Sequence, residues 1–482
     1  MHHDLGPLGT AVNPAALRRQ VRMLTTMGCN ALRTSHNPPS QVLLDLCDEM
    51  GLYVIDEAFD EWRIGKVQNG YHTLFDSWAE RDLRALIRRD RNHPSVVMWS
   101  IGNEVRDQGS PEGAEVAKKL VDICHDEDPT RPTTAGFNDS DDAIRHGLAE
   151  AVDVPGWNYR PTDYARYRSE HPTWPMCGTE TASCISSRGE YRLPGDEEKP
   201  PFQDNFQVNS FDLCTPPWAT TPDQEFTGLD ENPTIMGEFV WTGFDYLGEP
   251  TPYYGEWPSR SSYFGIVDLA GNPKSRYWLY KSTWTREPVL YVHPHWNWAE
   301  GDSVPVHCYS NAPVVELFLN GRSLGRKSRS ERTLLNRHRL VWTVPFEPGT
   351  LKAVSISEEG DVIQETSRQT AGAATGVRLE SDRSAFSADG EDMVFVTATV
   401  VDADGIPAPR ADQRIEFQVE GALLAGLCNG DPTSVEPFTG RSMKAFHGVC
   451  VAYIRAGHNP GTARITASAE GLRSDSIGVS AE

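Results

Sequence analysis

Seven short apolar runs recur through the first half of the chain, and most of them end in polar or charged residues. They cover residues 30–36, 52–58, 95–104, 133–138, 153–159, 173–180 and 234–241. Near-continuous apolar character is typical of parallel strands that helices cover on both faces. Stretches with the helical period separate several of the runs; after Pro14, for example, Leu17, Val21, Leu24 and Met27 recur at this spacing. This alternation of strands and helices predicts an α/β barrel.

A closed (β/α)8 barrel has eight strands and about 250 residues, so one strand is missing from this pattern. A helix is predicted to begin at Pro14, and only His-His-Asp-Leu-Gly stands where the remaining strand should lie. We therefore expect a (β/α)8 TIM barrel that lacks its first strand, over residues 1–286. A Rossmann-type open sheet is the alternative, but no glycine-rich phosphate loop follows any of the runs.

The rest of the chain has a different character, with valine, threonine and alanine in alternating patterns between turn signals. Twelve of the 13 tryptophans lie at or before Trp298, and only Trp342 follows. The dipeptide Asn320-Gly321 between alternating apolar residues predicts a tight β-hairpin. Strands at this spacing predict two immunoglobulin-like β-sandwiches, over 287–372 and 373–482.

Composition excludes several classes of protein. The 482 residues carry a formal net charge of −23, which would repel nucleic acid. No apolar run approaches the roughly 20 residues that a membrane span needs. The nine cysteines include no Cys-x-x-Cys pair, so a zinc ribbon or thioredoxin-like site is disfavoured. The N-terminal segment lacks the features of a signal peptide, which favours the cytoplasm, although secretion stays open if the native N-terminus is missing.

The polar residues at the ends of the predicted strands are the candidates for chemistry, because a barrel enzyme carries its active site there. They are Arg33, His36 and Asn37; Asp56, Glu57, Asp60 and Glu61; Asn103 and Glu104; Asn158 and Tyr159; Glu180; and Glu238, Trp241 and Asp245. Glycoside hydrolysis needs two carboxyl groups across one bond, one to donate a proton and one to attack or activate water. Paired carboxylates together with tyrosine and tryptophan therefore indicate sugar chemistry.

Five segments resemble glycoside hydrolase family 2, and within it the bacterial β-galactosidases. They read GCNALRTSHNPPS, CDEMGLYVIDEAFDEW, NHPSVVMWSIGNE, CGTETASCISSRGEY and GEFVWTGFDYLGEPTPYYGEWPSRSSYFGIVDLAGNPKSRYWLY. The resemblance spans roughly residues 2–300, and the predicted sandwiches look like the C-terminal immunoglobulin-like domains of the family. It implies a retaining, double-displacement mechanism.

The resemblance also implies roles for individual residues. Glu104 matches the general acid/base and Glu180 the nucleophile, with Glu238 as the alternative nucleophile. Asn103 would bind the 2-hydroxyl group of the sugar, and Tyr159 would donate a hydrogen bond to the nucleophile.

The remaining expected substrate-binding residues surround this pair. Trp241 matches an aromatic platform for the sugar, and His36 and His2 match sugar-binding histidines. Arg33 is expected to support the nucleophile electrostatically. Asp56, at the end of the run over 52–58, completes the set.

Two departures from the family pattern affect what is expected of this chain. Some relatives bind magnesium through Glu-x-His together with the acid/base, but here the segment reads Glu61-Trp62-Arg63, and an arginine cannot be a ligand. We therefore expect no metal at this site, and no organic cofactor, since side chains supply both catalytic groups. The jelly-roll and immunoglobulin-like domains that normally precede the barrel are not present, which indicates a fragment, a mis-assigned start or one half of a split enzyme. A homo-oligomer or a partner chain could then supply them.

The predicted activity is hydrolysis of terminal β-D-galactosides in oligosaccharides or glycoconjugates. A β-glucuronidase or another β-glycosidase of the same family is the alternative. The glucuronidase branch binds the sugar carboxylate through Asn-x-Lys, and this chain contains Asn272-Pro273-Lys274. A truncated, non-catalytic carbohydrate-binding protein is the alternative from a different class.

Overall fold

The computed structural model describes residues 1–195, 199, 202–329 and 333–482. Two compact units are distinguished within it. The first consists of residues 1–3, 29–183 and 218–242, and the second of residues 4–28, 184–217 and 243–482. Within the described ranges, no helix combines the length and the apolar character that crossing a membrane requires.

The first unit is built on one parallel sheet of seven strands in sequential order. The strands are β1 (Ala31–Arg33), β2 (Tyr53–Glu57), β3 (Val96–Asn103), β4 (Thr133–Phe137), β5 (Val154–Asn158), β6 (Cys177–Ala182) and β7 (Glu238–Trp241). Because β1 and β7 also approach one another, the sheet curls into a nearly closed barrel. This confirms the predicted α/β barrel; across the described residues no strand precedes β1.

Helices follow the strands as the apolar periodicity predicts. The α-helices of this unit are Gln41–Met50, Phe75–Asp90, Pro111–Glu127, Ser140–Arg145, Leu148–Ala151, Tyr164–Glu170 and Pro222–Glu231, with 3₁₀ turns at Tyr71–Thr73 and Arg106–Gly109. Local sequence sets the helix ends. The Ser40 side chain caps the first of these helices, and Gly51 ends it with a φ of 74°. The β6 strand begins at Cys177 rather than at residue 173, because Pro175 lacks the N–H group that a strand ladder uses.

The second unit contains helices and two β-sandwiches, in which the strands pair antiparallel except for the short strand Ala385–Phe386. Its helices are Pro14–Met27, Ser275–Trp284 and Leu334–His338, with a 3₁₀ turn at Gly6–Leu8. The first sandwich consists of β8 (Leu290–His293), β9 (Ser303–Ser310), β10 (Val314–Leu319), β11 (Arg322–Ser328), β12 (Leu340–Pro345), β13 (Thr350–Ile356) and β14 (Val362–Gln369). Its sheets are ordered β11-β10-β13-β14 and β12-β9-β8. Val304, Leu317 and Trp342 lie in the core between them.

The second sandwich follows directly. Its strands are β15 (Gly376–Ser381), β16 (Ala385–Phe386), β17 (Met393–Val401), β18 (Arg414–Glu420), β19 (Leu423–Cys428), β20 (Ser442–Lys444), β21 (Val449–Arg455), β22 (Gly461–Ala469) and β23 (Asp475–Ala481). The sheets are ordered β15-β17-β21-β19 and β16-β23-β22-β18-β20. Alternating residues such as Val394, Phe417 and Ile465 fill its core.

The hairpin expected at Asn320-Gly321 is present between β10 and β11. Both residues have positive φ, 50° and 81°, as the turn type favoured by this dipeptide requires. The predicted fold class, an α/β barrel followed by β-sandwiches, is therefore confirmed.

Candidate active site

The Arg33 guanidinium group joins four strand ends of the barrel. It lies at the end of β1, is buried, and donates to Glu57 Oε2 at 2.9 Å, Glu180 Oε1 at 2.9 Å and Asn103 Oδ1 at 2.7 Å. Burial disfavours its charge, but the Glu57 and Glu180 carboxylates outweigh this and raise the pKa of Arg33. A permanent cation therefore lies at the centre of the cluster.

Glu180 is the carboxylate that this cluster holds most firmly in position. Its Oε1 accepts from Arg33, and its Oε2 accepts from the Tyr159 hydroxyl at 2.6 Å. Burial, with the Glu180 charge as the next cause, raises the pKa of Tyr159 well above its usual value, so the phenol keeps its proton and donates. Two donors thus fix the orientation of the Glu180 carboxylate.

Glu104 follows β3 and has a different electrostatic environment. Its φ of 46° lies in the left-handed region, which non-glycine residues rarely adopt and which recurs at functional sites. Its Oε1 accepts from Asn158 Nδ2 at 2.9 Å. Burial, with the Glu180 charge as the next cause, raises the pKa of Glu104 to about 7. At neutral pH this group can therefore either donate or accept a proton.

Glu57 belongs to the cluster; it was one of the strand-end candidates but was not assigned a role in the predicted site. Its Oε1 lies 2.7 Å from His36 Nδ1, and its Oε2 accepts from Ser100 Oγ at 2.6 Å as well as from Arg33. Burial works against its charge, but Arg33 and His36 lower the pKa of Glu57 to about 2. The Glu57 carboxylate therefore orients the His36 ring and helps to hold Arg33.

The two strand-end asparagines connect the charged groups. Asn103 Oδ1 accepts from Arg33 and, at 3.2 Å, from Asn158 Nδ2. The Nδ2 atom of Asn103 lies 3.3 Å from His36 Nε2 and 3.4 Å from Asp60 Oδ1. Asn158 was noted at a strand end but was not predicted as a site residue; it contacts the carboxylate of Glu104 directly.

An aromatic wall completes the cluster at the end of β7. The rings of Trp241 and His36 are stacked, with centroids 5.0 Å apart and an interplanar angle of 2°. The His2 ring meets Trp241 edge-on at 4.9 Å. Burial lowers the pKa of His2 well below its usual value, so this ring is neutral. The predicted residues Trp241, His36 and His2 are thus brought together.

Asp56 is the predicted residue that the structure does not bring into the cluster. Side chains alternate between the two faces of a strand, and Glu57 occupies the face toward Arg33. Asp56 therefore points the opposite way, beside Asp90 at the end of the helix Phe75–Asp90. Burial and the nearby Asp90 carboxylate raise the pKa of Asp56 well above its usual value.

Glu238, the alternative nucleophile, also faces away from the cluster. Its Oε2 accepts from Thr181 Oγ1 at 2.8 Å. The neighbouring Glu225 belongs to the helix Pro222–Glu231, and Tyr164 donates to it at 2.7 Å. Burial and the Glu238 charge raise the pKa of Glu225 well above its usual value. The Glu238 carboxylate therefore faces the surrounding helices, whereas the Glu180 carboxylate faces Arg33 inside the barrel.

The segment Glu61-Trp62-Arg63, where no metal was expected, has its charged groups engaged with other parts of the protein. Glu61 Oε1 accepts from the His72 backbone N–H at 2.9 Å, and its Oε2 from that of Lys66. Arg63 is exposed and donates to Asp76 at 2.7 Å. Both oxygens of the Glu61 carboxylate thus accept from backbone N–H groups. Arg63 stands at the histidine position of the Glu-x-His pattern, and its guanidinium group is a cation.

Comparison with protein-family models identifies three segments of the chain. Residues 1–174 match the model for the TIM barrel domain of glycosyl hydrolases family 2, and residues 377–478 match C-terminal domain 5 of the same family. Residues 301–364 match a domain of unknown function. This chain belongs to glycoside hydrolase family 2. The predicted resemblance is therefore confirmed.

Two relatives and one solved structure are similar along almost the whole chain. A β-galactosidase of Bacteroides ovatus, BoGH2A, is 44% identical over 100% of this chain and 61% of its own length. A putative β-glucuronidase of Formosa agariphila is 32% identical over 97% of this chain and 46% of its own length. The crystal structure of a β-glycosidase from Bacteroides vulgatus superposes with a TM-score of 0.89 at 32% identity, covering 100% of this chain and 63% of that one. This family 2 chain thus spans about half to three fifths of the length of these relatives.

Proposed function

We propose that the chain carries the catalytic centre of a retaining exo-β-glycosidase that acts on terminal β-D-galactosides. The observation that carries this proposal is the contrast between two carboxyl groups. Glu180 is held by the cation Arg33 and the donor Tyr159, whereas burial raises the pKa of Glu104 to about 7. Such a pair suits a nucleophile and a proton donor.

The first displacement forms a covalent glycosyl-enzyme. The Glu180 carboxylate attacks the anomeric carbon while the bond to the leaving oxygen breaks. Glu104 gives its proton to that oxygen, so the leaving group departs as a neutral alcohol. In this proposal Asn103 binds the sugar 2-hydroxyl, and Trp241 packs against the C–H groups of the ring.

The second displacement releases the sugar. Once Glu180 is esterified its negative charge is gone, and the repulsion that helped to raise the pKa of Glu104 is removed. Glu104 is then a carboxylate, and it takes a proton from the water that attacks the anomeric carbon. The bond to Glu180 breaks, and the anomeric configuration is retained.

The relative named a β-galactosidase, at 44% identity, supports galactose as the sugar. The relatives named glucuronidases keep the alternative of a glucuronide substrate open. Against this alternative, the Lys274 ammonium group donates to Asp245 Oδ2 at 2.6 Å and to the Ser186 and Tyr263 carbonyls at 2.7 and 3.1 Å. These three acceptors occupy all three of its hydrogens, so Lys274 has none left for a sugar carboxylate.

Trapping with an activated 2-deoxy-2-fluoro-β-galactoside, followed by intact mass and peptide mapping, tests the proposal. We expect a stable label on Glu180 in the wild-type protein and no label in Glu180→Gln. A label on Glu238 would overturn the nucleophile assignment. Labelling only by the corresponding fluoro-glucuronide would favour glucuronidase activity. Galactose binding without a label from either reagent would favour a non-catalytic carbohydrate-binding protein.

A further inference from the structure

Trp218 is an exposed tryptophan beside the active-site cluster. It follows Pro216 and Pro217 in the sequence and is 42% exposed. Two residues later, the Thr220 backbone N–H donates to the Ala182 carbonyl at 2.9 Å, at the end of β6. The segment that carries Trp218 is thus tied to the strand that carries Glu180.

The Trp218 ring contacts a residue that itself contacts the nucleophile. Its centroid lies 4.8 Å from that of Tyr159, with an interplanar angle of 62°. The Tyr159 hydroxyl donates to Glu180 Oε2. One aromatic side chain therefore separates Trp218 from the proposed nucleophile. Trp241, the other tryptophan of the cluster, is only 6% exposed and belongs to its enclosed part.

We infer that Trp218 is a platform for the aglycone, on which the pyranose ring next to the scissile bond rests. The inference depends on the proposed function, because an exo-glycosidase encloses one terminal sugar and leaves the rest of the substrate toward solvent. An aromatic face that remains partly exposed beside the buried cluster can bind the apolar C–H face of a second sugar. The ligand class is thus a saturated hexopyranose.

The covalent intermediate provides a way to isolate this subsite. The glycosyl-enzyme reacts either with water or with the hydroxyl group of an acceptor sugar. In both reactions the incoming oxygen attacks the anomeric carbon, the bond to Glu180 breaks, and the displaced proton passes to Glu104. A sugar acceptor must first bind in the aglycone subsite, whereas water and methanol need no platform.

The structure offers a matched control in Trp78. It is 41% exposed, nearly the same as Trp218, but it lies on the helix Phe75–Asp90 with the Arg81 guanidinium group 4.3 Å above its ring. Trp78→Ala therefore removes an equally exposed tryptophan from outside the cluster. Any general effect of losing a surface tryptophan will be seen in both variants.

The experiment measures how the intermediate partitions when 2,4-dinitrophenyl β-galactoside is the donor. Products are quantified with glucose, with methanol and with water alone. Trp218→Ala should lower the ratio of transfer to glucose over hydrolysis by about threefold to tenfold, because one aromatic contact is lost. The methanol ratio should stay unchanged, Trp218→Phe should recover part of the effect, and Trp78→Ala should match the wild type.

Failure of this inference can be told apart from failure of the proposed function. If the wild type is labelled on Glu180 but Trp218→Ala leaves the glucose ratio unchanged, the platform is disproved while the glycosidase proposal stands. An equal fall in the glucose and methanol ratios would also disprove it, because methanol makes no stacking contact. If the wild type neither turns over the donor nor takes the label, both proposals fail together.

Discussion

The inner and outer faces of the barrel strands carry buried carboxyl groups in contrasting environments. On the inner face, Glu57 and Glu180 share the guanidinium group of Arg33. On the outer face, Asp56 lies beside Asp90, and Glu238 lies beside Glu225. Glu57 and Asp56 are consecutive residues of β2, and Glu180 and Glu238 lie on the paired strands β6 and β7, so the same strands carry both environments.

This difference shows how one sheet supports two kinds of buried acid. Compensation by Arg33 keeps Glu57 ionised, and its pKa falls to about 2. On the outer face, burial and a neighbouring carboxylate raise the pKa of Asp56 and of Glu225, so these groups hold protons and act as hydrogen-bonding side chains. The inner face therefore keeps charge available for chemistry, and the outer face neutralises it.

The largest expected effect compares Glu180→Gln with Glu238→Gln. Removing the nucleophile should lower kcat for a nitrophenyl β-galactoside by about 10⁴-fold or more. The same change on the outer face should leave kcat within about threefold, because it removes no group from the cluster. Steady-state kinetics on both variants decides this. A larger loss in Glu238→Gln would mean that the outer face carries the chemistry.

A second effect concerns Glu104, whose pKa is raised in part by the neighbouring Glu180 charge on the inner face. Glu104→Gln should lower kcat/KM for an alkyl galactoside by about 10²- to 10⁴-fold, since no proton reaches the leaving oxygen. With a dinitrophenyl leaving group, which needs no proton, the fall should be much smaller. Equal losses on both substrates would argue against Glu104 as the proton donor.

The pH profile gives an independent check of the same residue. Glu104 must be protonated for the first displacement, so wild-type kcat/KM should fall about tenfold per pH unit above its pKa of about 7. This alkaline fall in kcat/KM should be absent from the residual activity of Glu104→Gln. If the alkaline fall persists in this variant, a group other than Glu104 causes it.

A third prediction concerns the loss of the Arg33 cation that compensates the carboxylates on the inner face. Arg33→Met leaves two buried carboxylates without their cation, which should lower the free energy of unfolding by about 3–5 kcal/mol at pH 7. The loss should shrink at lower pH, where a protonated carboxyl group needs no counter-charge. Arg63→Met is the control, since Arg63 pairs with Asp76 on the exposed surface and should cost no more than about 1 kcal/mol. Urea unfolding monitored by fluorescence measures both variants.

The sequence predicted the barrel and most of the cluster because apolar runs mark buried strands and polar residues mark their ends. It named Asp56 as a site residue, whereas the adjacent Glu57 is the one that faces inward. Strand alternation allows only one of the two, and the choice depends on the pairing of β2 with β1 and β3. Both residues are fully buried, so the apolar pattern carries no signal for this choice.

The backbone at the strand ends explains how Asn158, to which the sequence analysis gave no role, reaches the cluster together with Tyr159. In a regular strand, consecutive side chains point to opposite faces. Here Tyr159 has a φ of 61° and Glu104 has a φ of 46°, so the chain turns out of the strand at each position. Asn158 and Tyr159 both reach the cluster in consequence, as do Asn103 and Glu104. A left-handed backbone at a non-glycine residue is a tertiary feature that periodicity does not predict.

The smallest expected effect tests the outer face through the pH dependence of stability. The raised pKa of Asp56 means that the folded protein keeps a proton that the unfolded chain loses above pH 4. Wild-type stability should therefore fall as the pH rises from about 4 toward that pKa, by about 1.4 kcal/mol per pH unit for one proton. Asp56→Asn should remove this slope, because an amide can donate to Asp90 at every pH.

Asp90 is the neighbour that this substitution addresses, and Arg89 donates to both of its carboxylate oxygens, at 2.6 and 2.5 Å. A neutral donor at position 56 is therefore what this environment requires, and asparagine supplies one of nearly the same shape. Asp76→Asn, on the exposed surface, should leave the slope of the wild type unchanged. Urea unfolding between pH 4 and pH 8 measures the three proteins. Parallel curves for Asp56→Asn and the wild type would show that Asp56 is ionised when folded, and the contrast between the two faces would then rest on Glu225 alone.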